Sequence, residues 1–226
     1  MVEILKYTTK HPIEMIGEMA GICWGADTSD LEKNLKRGFE CLDNEHGRTF
    51  EFPDVYTKID ERSARVIREW YTHIGGAPTR LQESTRYVKF SNGFDYVTPK
   101  TILKIERARH IYDTVMGTIA SGIKELEELG IPREDSSMLL PLGMDTKIVD
   151  KRNFRNIWDM AHQRLCNRAY WEYRELLREY LKALSEYSSE WKVLIDNYVM
   201  PKCEYLGECR EKKTCGKMKK VVDKLV

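Results

Sequence analysis

The chain has 226 residues, with 37 basic and 36 acidic side chains and a net charge of +1. That length suits one sizeable core, and that balance supplies no basic excess for broad contact with nucleic acid or an acidic membrane. With 42% hydrophobic and 32% charged residues the composition is globular rather than disordered. No apolar run approaches the roughly 20 residues that cross a bilayer. The first residues also lack the charged, apolar and small-residue order of a secretory signal. The expectation is a cytoplasmic protein whose six cysteines are reduced thiols or metal ligands rather than disulfides.

In chain order, residues 2–7 read as a strand, and Pro12 suits the first turn of a helix running to Cys23. Asp27-Thr28-Ser29-Asp30 offers N-caps for a second helix, in which Leu31, Leu35, Phe39 and Leu42 recur as an apolar stripe. Gly47-Arg48 ends it. Residues 50–58 read as a strand in spite of Pro53, and residues 60–71 as a helix with Ala64, Ile67 and Tyr71 on one side. Gly75-Gly76 and Pro78 force a loop. From Ser84 the chain alternates as a strand and turns at Asn92-Gly93, with a further run over residues 95–97 after it. A helix over residues 99–129 stops at Gly130 and Pro132, and residues 136–142 form a short apolar bridge. Residues 153–198 read as a helical block with a break near Ser188-Ser189. Helix dominates and strands are few. The fold class is therefore α+β, a small, mostly antiparallel sheet packed with long helices in a single domain over residues 1–200. A basic, cysteine-bearing tail occupies residues 201–226.

Three segments mix Arg, His and Asn with aromatics at the ends of these elements: residues 46–51, 68–87 and 153–171. In Arg80-Leu81-Gln82-Glu83-Ser84-Thr85-Arg86-Tyr87, Ser84 and Arg86 are two apart and would share a face of an extended strand. A planar, permanently charged fork beside a hydroxyl suits a phosphate monoester. An ordinary surface strand can carry the same residues, and both readings stay open. Asn153 and Arg164 are eleven apart and would share a helix face with Ile157 and Met160. A guanidinium there is costly unless an anion or a planar acceptor meets it, and an intramolecular ion pair is the plain alternative. His46 and His73 could equally be ordinary half-buried histidines.

Taken in order, these residues resemble the flavin-dependent thymidylate synthases, the thymidylate synthase-complementing-protein family. Arg68-Glu69-Trp70-Tyr71-Thr72-His73 followed by Gln82-Glu83-Ser84-Thr85-Arg86-Tyr87 is similar to the family pattern R-Q-W-x-R-H-R, a loop, then N-E-x-S-x-R-Y. His46 with Phe50-Glu51 resembles H-x-T-x-F-E. Gly130-Ile131-Pro132-Arg133-Glu134 with Leu139-Leu140-Pro141-Leu142 resembles G-x-P-R-E … L-P-L. Asn153-Phe154-Arg155, Arg164 and Trp171-Glu172 resemble N-x-R, the arginine of an L-R motif, and W-E. The ordered resemblance runs from residue 46 to 172. Departures are also clear: R-H-R is Thr72-His73-Ile74, the following loop is two residues longer, Asn-Glu is Leu81-Gln82, and Lys147 stands for an arginine after L-P-L. Arg80 lies in the lengthened loop and could return one lost positive charge.

The resemblance implies reductive methylation of dUMP to dTMP, with FAD as cofactor and methylenetetrahydrofolate and NADPH as co-substrates. It implies Arg164 as the catalytic residue that activates the uracil ring. For dUMP it implies Glu69, Gln82, Glu83, Ser84, Thr85, Arg86, Lys147 and Arg164. For FAD it implies His46, Arg48, Thr72, His73, Ile74, Asn153, Arg155 and Asp159. It also implies a homotetramer with sites shared between subunits, and no role for Cys166 as a nucleophile. Two other readings remain: a flavin enzyme transferring a different one-carbon unit such as hydroxymethyl, and a non-catalytic nucleotide-binding protein whose tail touches nucleic acid. In the tail, Cys203, Cys209 and Cys215 are spaced C-x5-C-x5-C, which offers thiolates to zinc or an iron–sulfur cluster or leaves free thiols. No fourth ligand is evident from the spacing.

Overall fold

The computed structural model describes residues 1–90 and 92–219; of the expected tail, residues 220–226 lie outside it. Strand β1 (Val2–Ile4) is followed by helices α1 (Pro12–Cys23) and α2 (Leu31–Asp43). Strand β2 (Asp54–Ser63) leads into α3 (Ala64–Trp70), and β3 (Thr79–Gln82) follows. Then come α4 (Lys100–Leu103), α5 (Glu106–Glu128) and α6 (Arg133–Ser136). Strand β4 (Asp145–Asn153) runs into α7 (Phe154–Arg164), followed by α8 (Trp171–Tyr187), α9 (Ser189–Tyr198) and α10 (Lys202–Tyr205). The strands hydrogen-bond in the order β1-β2-β4-β3 and form one small antiparallel sheet, so the class is α+β as expected. Among the described residues no helix is long and apolar enough to cross a membrane.

Local chemistry explains several boundaries. Asp30 caps α2 by accepting the Lys33 N–H at 3.2 Å, and Ser188 caps α9 by accepting that of Trp191 at 3.3 Å. Ser63 does the same for α3 through Val66 at 3.2 Å. That cap corrects the expected helix over residues 60–71: residues 60–63 finish β2 instead. The expected stripe on α2 holds only in part: Leu42 is buried and Leu35 half-buried, but Leu31 and Phe39 are exposed while Asn34, Gly38 and Cys41 are buried. A Cβ on Gly17 would collide with the Asn34 carbonyl, and one on Gly38 with that of Ile13. The two helices therefore meet backbone to backbone along glycines, and Leu31 and Phe39 are turned aside.

Three further expectations change. Residues 84–88 form a turn, not a strand: the N–H groups of Tyr87 and Val88 both donate to the Ser84 carbonyl, at 3.2 and 3.1 Å. The helix expected over residues 99–129 is divided at Ile105, which is extended. The block over residues 153–198 is broken at residues 165–170 as well as at Ser188. Strand β4 was not expected at all, because its inward side carries Asp150 and Arg152 beside Thr146 and Ile148. An alternation built on charges does not read as a hydrophobic one.

The chain forms two compact units, and β2 and β4 each run from one into the other. One unit holds residues 59–71 and 80–149 with Met1. Its core gathers Phe90, Ile123 and Met144, with Ala64, Val88, Phe94, Ile119 and Leu140 packed against them. The other holds residues 2–58, 72–79 and 150 onward. There Phe154 packs on Phe50 and Trp191 at 5.5 and 5.9 Å between ring centres.

Candidate active site

The unit containing residues 72–79 and 150 onward holds an interlocked polar cluster. At its base Arg152 and Asp150, both fully buried, form a bidentate pair with Nε–Oδ2 and Nη2–Oδ1 distances of 2.6 and 2.8 Å. Burial opposes the charge of Arg152, but Asp150 outweighs it and holds the guanidinium pKa above its ordinary value. Arg152 also donates to Asn156 Oδ1 at 2.5 Å, and the Asn156 amide donates to the carbonyls of His73, at 3.2 Å, and Gly75. Asn153, the cap of α7, accepts the Asn156 N–H at 3.0 Å and donates to the Gly76 carbonyl at 3.2 Å. Gly76 has φ +73, and a Cβ there would lie 2.6 Å from the Asn153 amide, so the position requires glycine.

On this base Arg164, the last residue of α7, donates from Nε to His73 Nε2 at 2.9 Å and from Nη2 to Thr72 Oγ1 at 3.5 Å. Its guanidinium lies 4.8 Å from the Tyr173 ring centre, and the His73 ring meets that of Tyr173 edge-on at 5.9 Å. The planar acceptor that the guanidinium on α7 required is thus His73. Burial, with Arg164 and then Arg152 adding to it, pushes the His73 pKa from 6.5 down to about 4. The ring is neutral near pH 7 and is free to accept at Nε2.

The other expected flavin contacts in this unit fall into two groups. Arg155 pairs with Glu51 at 3.2 Å, and Arg48 reaches the same carboxylate at 3.2 Å. Gly47 lies against the Arg155 guanidinium, so residues 46–51 and 153–155 do meet. His46 and Ile74 are exposed. Asp159 is half-buried with its carboxylate 4.0 Å from where a Gly75 Cβ would stand, and burial raises its pKa.

The expected nucleotide contacts other than Arg164 lie in the unit with residues 80–149. Gln82 donates to Thr146 Oγ1 at 3.2 Å, and the Glu83 N–H donates to the Lys147 carbonyl at 2.8 Å. The Ser84 hydroxyl accepts the Arg86 N–H at 3.3 Å within the turn that also holds Thr85, and Arg86 Nε pairs with Glu134 at 2.9 Å. Ser84 and Arg86 are therefore neighbours through a hydroxyl-capped turn rather than through strand alternation. Lys147 is exposed, and Glu69 is half-buried on α3.

Tyr173, Asn156 and the Asp150–Arg152 pair are site components that residue patterns did not bring out. Tyr173 follows Trp171-Glu172 by one residue, and Asp150 and Arg152 share a strand face, but neither spacing says what the side chain meets. Glu134, within the Gly130 to Glu134 block, likewise showed no sign of pairing with Arg86.

Fold and cluster define an α+β protein with a neutral histidine holding an arginine at the end of a helix that starts from a buried ion pair. The chain belongs to the family described as thymidylate synthase complementing protein, whose family model matches residues 3–220. Curated relatives named flavin-dependent thymidylate synthase agree. That of Clostridium tetani is 31% identical over 246 aligned positions, covering 97% of this chain and 96% of the relative. That of Pyrococcus furiosus is 28% identical over 244 positions, covering 98% of each. The match to that of Geobacter sulfurreducens is 33% over 142 positions, spanning 62% of this chain and 59% of the relative.

Proposed function

We propose that the protein is a flavin-dependent thymidylate synthase that converts dUMP to dTMP. Methylenetetrahydrofolate is the one-carbon donor, NADPH the reductant and FAD the bound cofactor. Family membership over nearly the whole chain supports the reading. The observation that carries it is the Arg164–His73 contact at 2.9 Å, which joins two signature positions 91 residues apart.

The residues of the 72–76 loop fit a flavin. A neutral imidazole and the exposed glycines Gly75 and Gly76, held in place by the buried carboxamides of Asn153 and Asn156, offer a surface with little charge. Arg155 and Arg48 supply guanidinium groups for its diphosphate. FAD, when bound, supplies the hydride chemistry that protein side chains lack. His46, Thr72, Ile74 and Asp159 complete the proposed cofactor contacts. Thr72 replaces an arginine of the family signature and gives Arg164 a hydroxyl acceptor where a second guanidinium would repel it.

Arg164 is the proposed catalytic residue. Three neighbours orient its guanidinium, so little reorganisation opposes its stabilising negative charge that develops on the uracil carbonyl edge. Ser84, Thr85 and Arg86 hold the nucleotide phosphate, with Arg86 exchanging Glu134 for it. Gln82, Glu83, Glu69 and Lys147 are the further substrate contacts. The proposed assembly is a homotetramer; half-exposed Ile111 and Val115, one turn apart on α5, suit burial by a second copy.

The test is product formation by the purified protein with dUMP, methylenetetrahydrofolate and NADPH, and the same assay on Arg164→Ala. The parent is expected to form dTMP, and the variant to lose at least about 100-fold in turnover while keeping its flavin. A hydroxymethylated product from the parent would move the assignment to another one-carbon unit. Near-normal dTMP formation by the variant would remove Arg164 from the mechanism.

A further inference from the structure

A cavity of about 580 Å³ is lined by Cys166, Cys203, Cys209 and Cys215. Four of the six cysteines thus face one space, while Cys23 and Cys41 lie on α1 and α2. Spacing along the tail supplied three thiols and no fourth. The fold supplies it as Cys166, in the break between α7 and α8.

The tail is tied to the connection between α7 and α8. Arg168 donates to the Lys213 carbonyl at 3.3 Å and pairs with Glu211 at 3.2 Å. The Asn167 amide donates to Cys215 Sγ at 3.6 Å, and the Cys209 N–H to the Lys219 carbonyl at 2.8 Å. Gly207, between Cys203 and Cys209, and Gly216, directly after Cys215, turn the chain with φ +70 and +86. Lysines 202, 213 and 217 also line the cavity and would offset the charge of bound thiolates.

Spacing decides what fits. A tetrahedral zinc about 2.3 Å from each sulfur needs sulfurs only about 3.8 Å apart. Among the described residues the group whose ligand atoms all lie within 4.8 Å of one another is His11, Glu14 and Glu190, and no three of these thiols form such a group. A polynuclear cluster distributes its thiolates over several metal atoms and so takes ligands set wider apart.

We propose that Cys166, Cys203, Cys209 and Cys215 bind an iron–sulfur cluster. Each thiol loses its proton to solvent as its sulfur bonds to iron. The site does not depend on the flavin reading.

Iron, zinc and acid-labile sulfide are measured on the full-length protein purified without oxygen, with electron paramagnetic resonance after reduction. Iron and sulfide in equal amounts, about two or four of each per chain, are expected. Cys166→Ser and Cys215→Ser should each lower iron by at least about tenfold, whereas Cys41→Ser should leave it unchanged. Cys215 is exposed, so that variant separates ligation from folding. Stoichiometric zinc without sulfide would overturn the cluster. So would a protein that takes up no iron and sulfide on reconstitution, or equal loss of iron in the Cys41 variant.

Discussion

Arg152 and Arg86 each meet a carboxylate at hydrogen-bond distance, yet the two pairs do opposite work. Arg152 and Asp150 are 0% exposed, and their pairing is the base on which Asn156, the 73–76 loop and Arg164 are arranged. Arg86 and Glu134 are 64% and 53% exposed in their side chains, and solvent screens such a pair to a small net value. A buried pair cannot exchange partners without stranding a charge, so it fixes geometry. An exposed pair exchanges readily, so its arginine can take an incoming phosphate. One region is prearranged, and the other is ready to substitute.

The sharpest way to break this comparison is Asp150→Ala. It leaves the Arg152 guanidinium buried without its carboxylate and should cost about 3–5 kcal/mol in denaturant unfolding. A loss below about 1 kcal/mol would mean that the pair is not the base of the cluster.

His73 gives the next largest effect. Its folded pKa of about 4 lies below the ordinary 6.5, so the unfolded chain takes up the proton first as pH falls. Its contribution to stability is complete above pH 6.5 and is lost as pH falls through about 4. His73→Gln offers Arg164 an oxygen acceptor that does not titrate. The urea midpoint of the parent should therefore fall more steeply than that of the variant between about pH 7 and pH 5. Parallel curves would remove the histidine from the effect.

The smallest stability change belongs to the exposed pair. Glu134→Gln should shift unfolding by less than about 0.5 kcal/mol, yet lower the KM for dUMP by freeing Arg86. Arg86→Ala should weaken dUMP far more than FAD. Equal loss of both ligands would contradict a phosphate role for the turn.

Several helix starts and stops were legible because they depend on neighbours in sequence, while the start of α3 and the breaks at Ile105 and residues 165–170 were not. Pro12, Asp30, Ser188 and the Gly130 to Pro132 break act within one turn of where they stand. Strand β4 and the turn at Ser84 were not legible in the same way. In the first, an ion pair replaced the apolar alternation that marks a strand. In the second, a serine hydroxyl competed for the backbone where polar alternation suggested an extended chain. The stripe on α2 held only at Leu35 and Leu42 for a packing reason, since Gly17 and Gly38 set which face approaches α1. For the candidate site, motif order brought out Arg164, His73, Asn153, Ser84 and Arg86, but not which of them touch.

The amino-acid sequence by itself determined the family, the α+β class and the residue types available for chemistry, because motifs and caps are written in short, ordered spacings. Tertiary structure alone decided that His73 accepts from Arg164 and that Tyr173 faces both. It likewise decided that Cys166 joins three cysteines of the tail around one cavity. Those relations depend on long loops closing and on burial changing a neighbour's charge state, and neither is a property of any short segment.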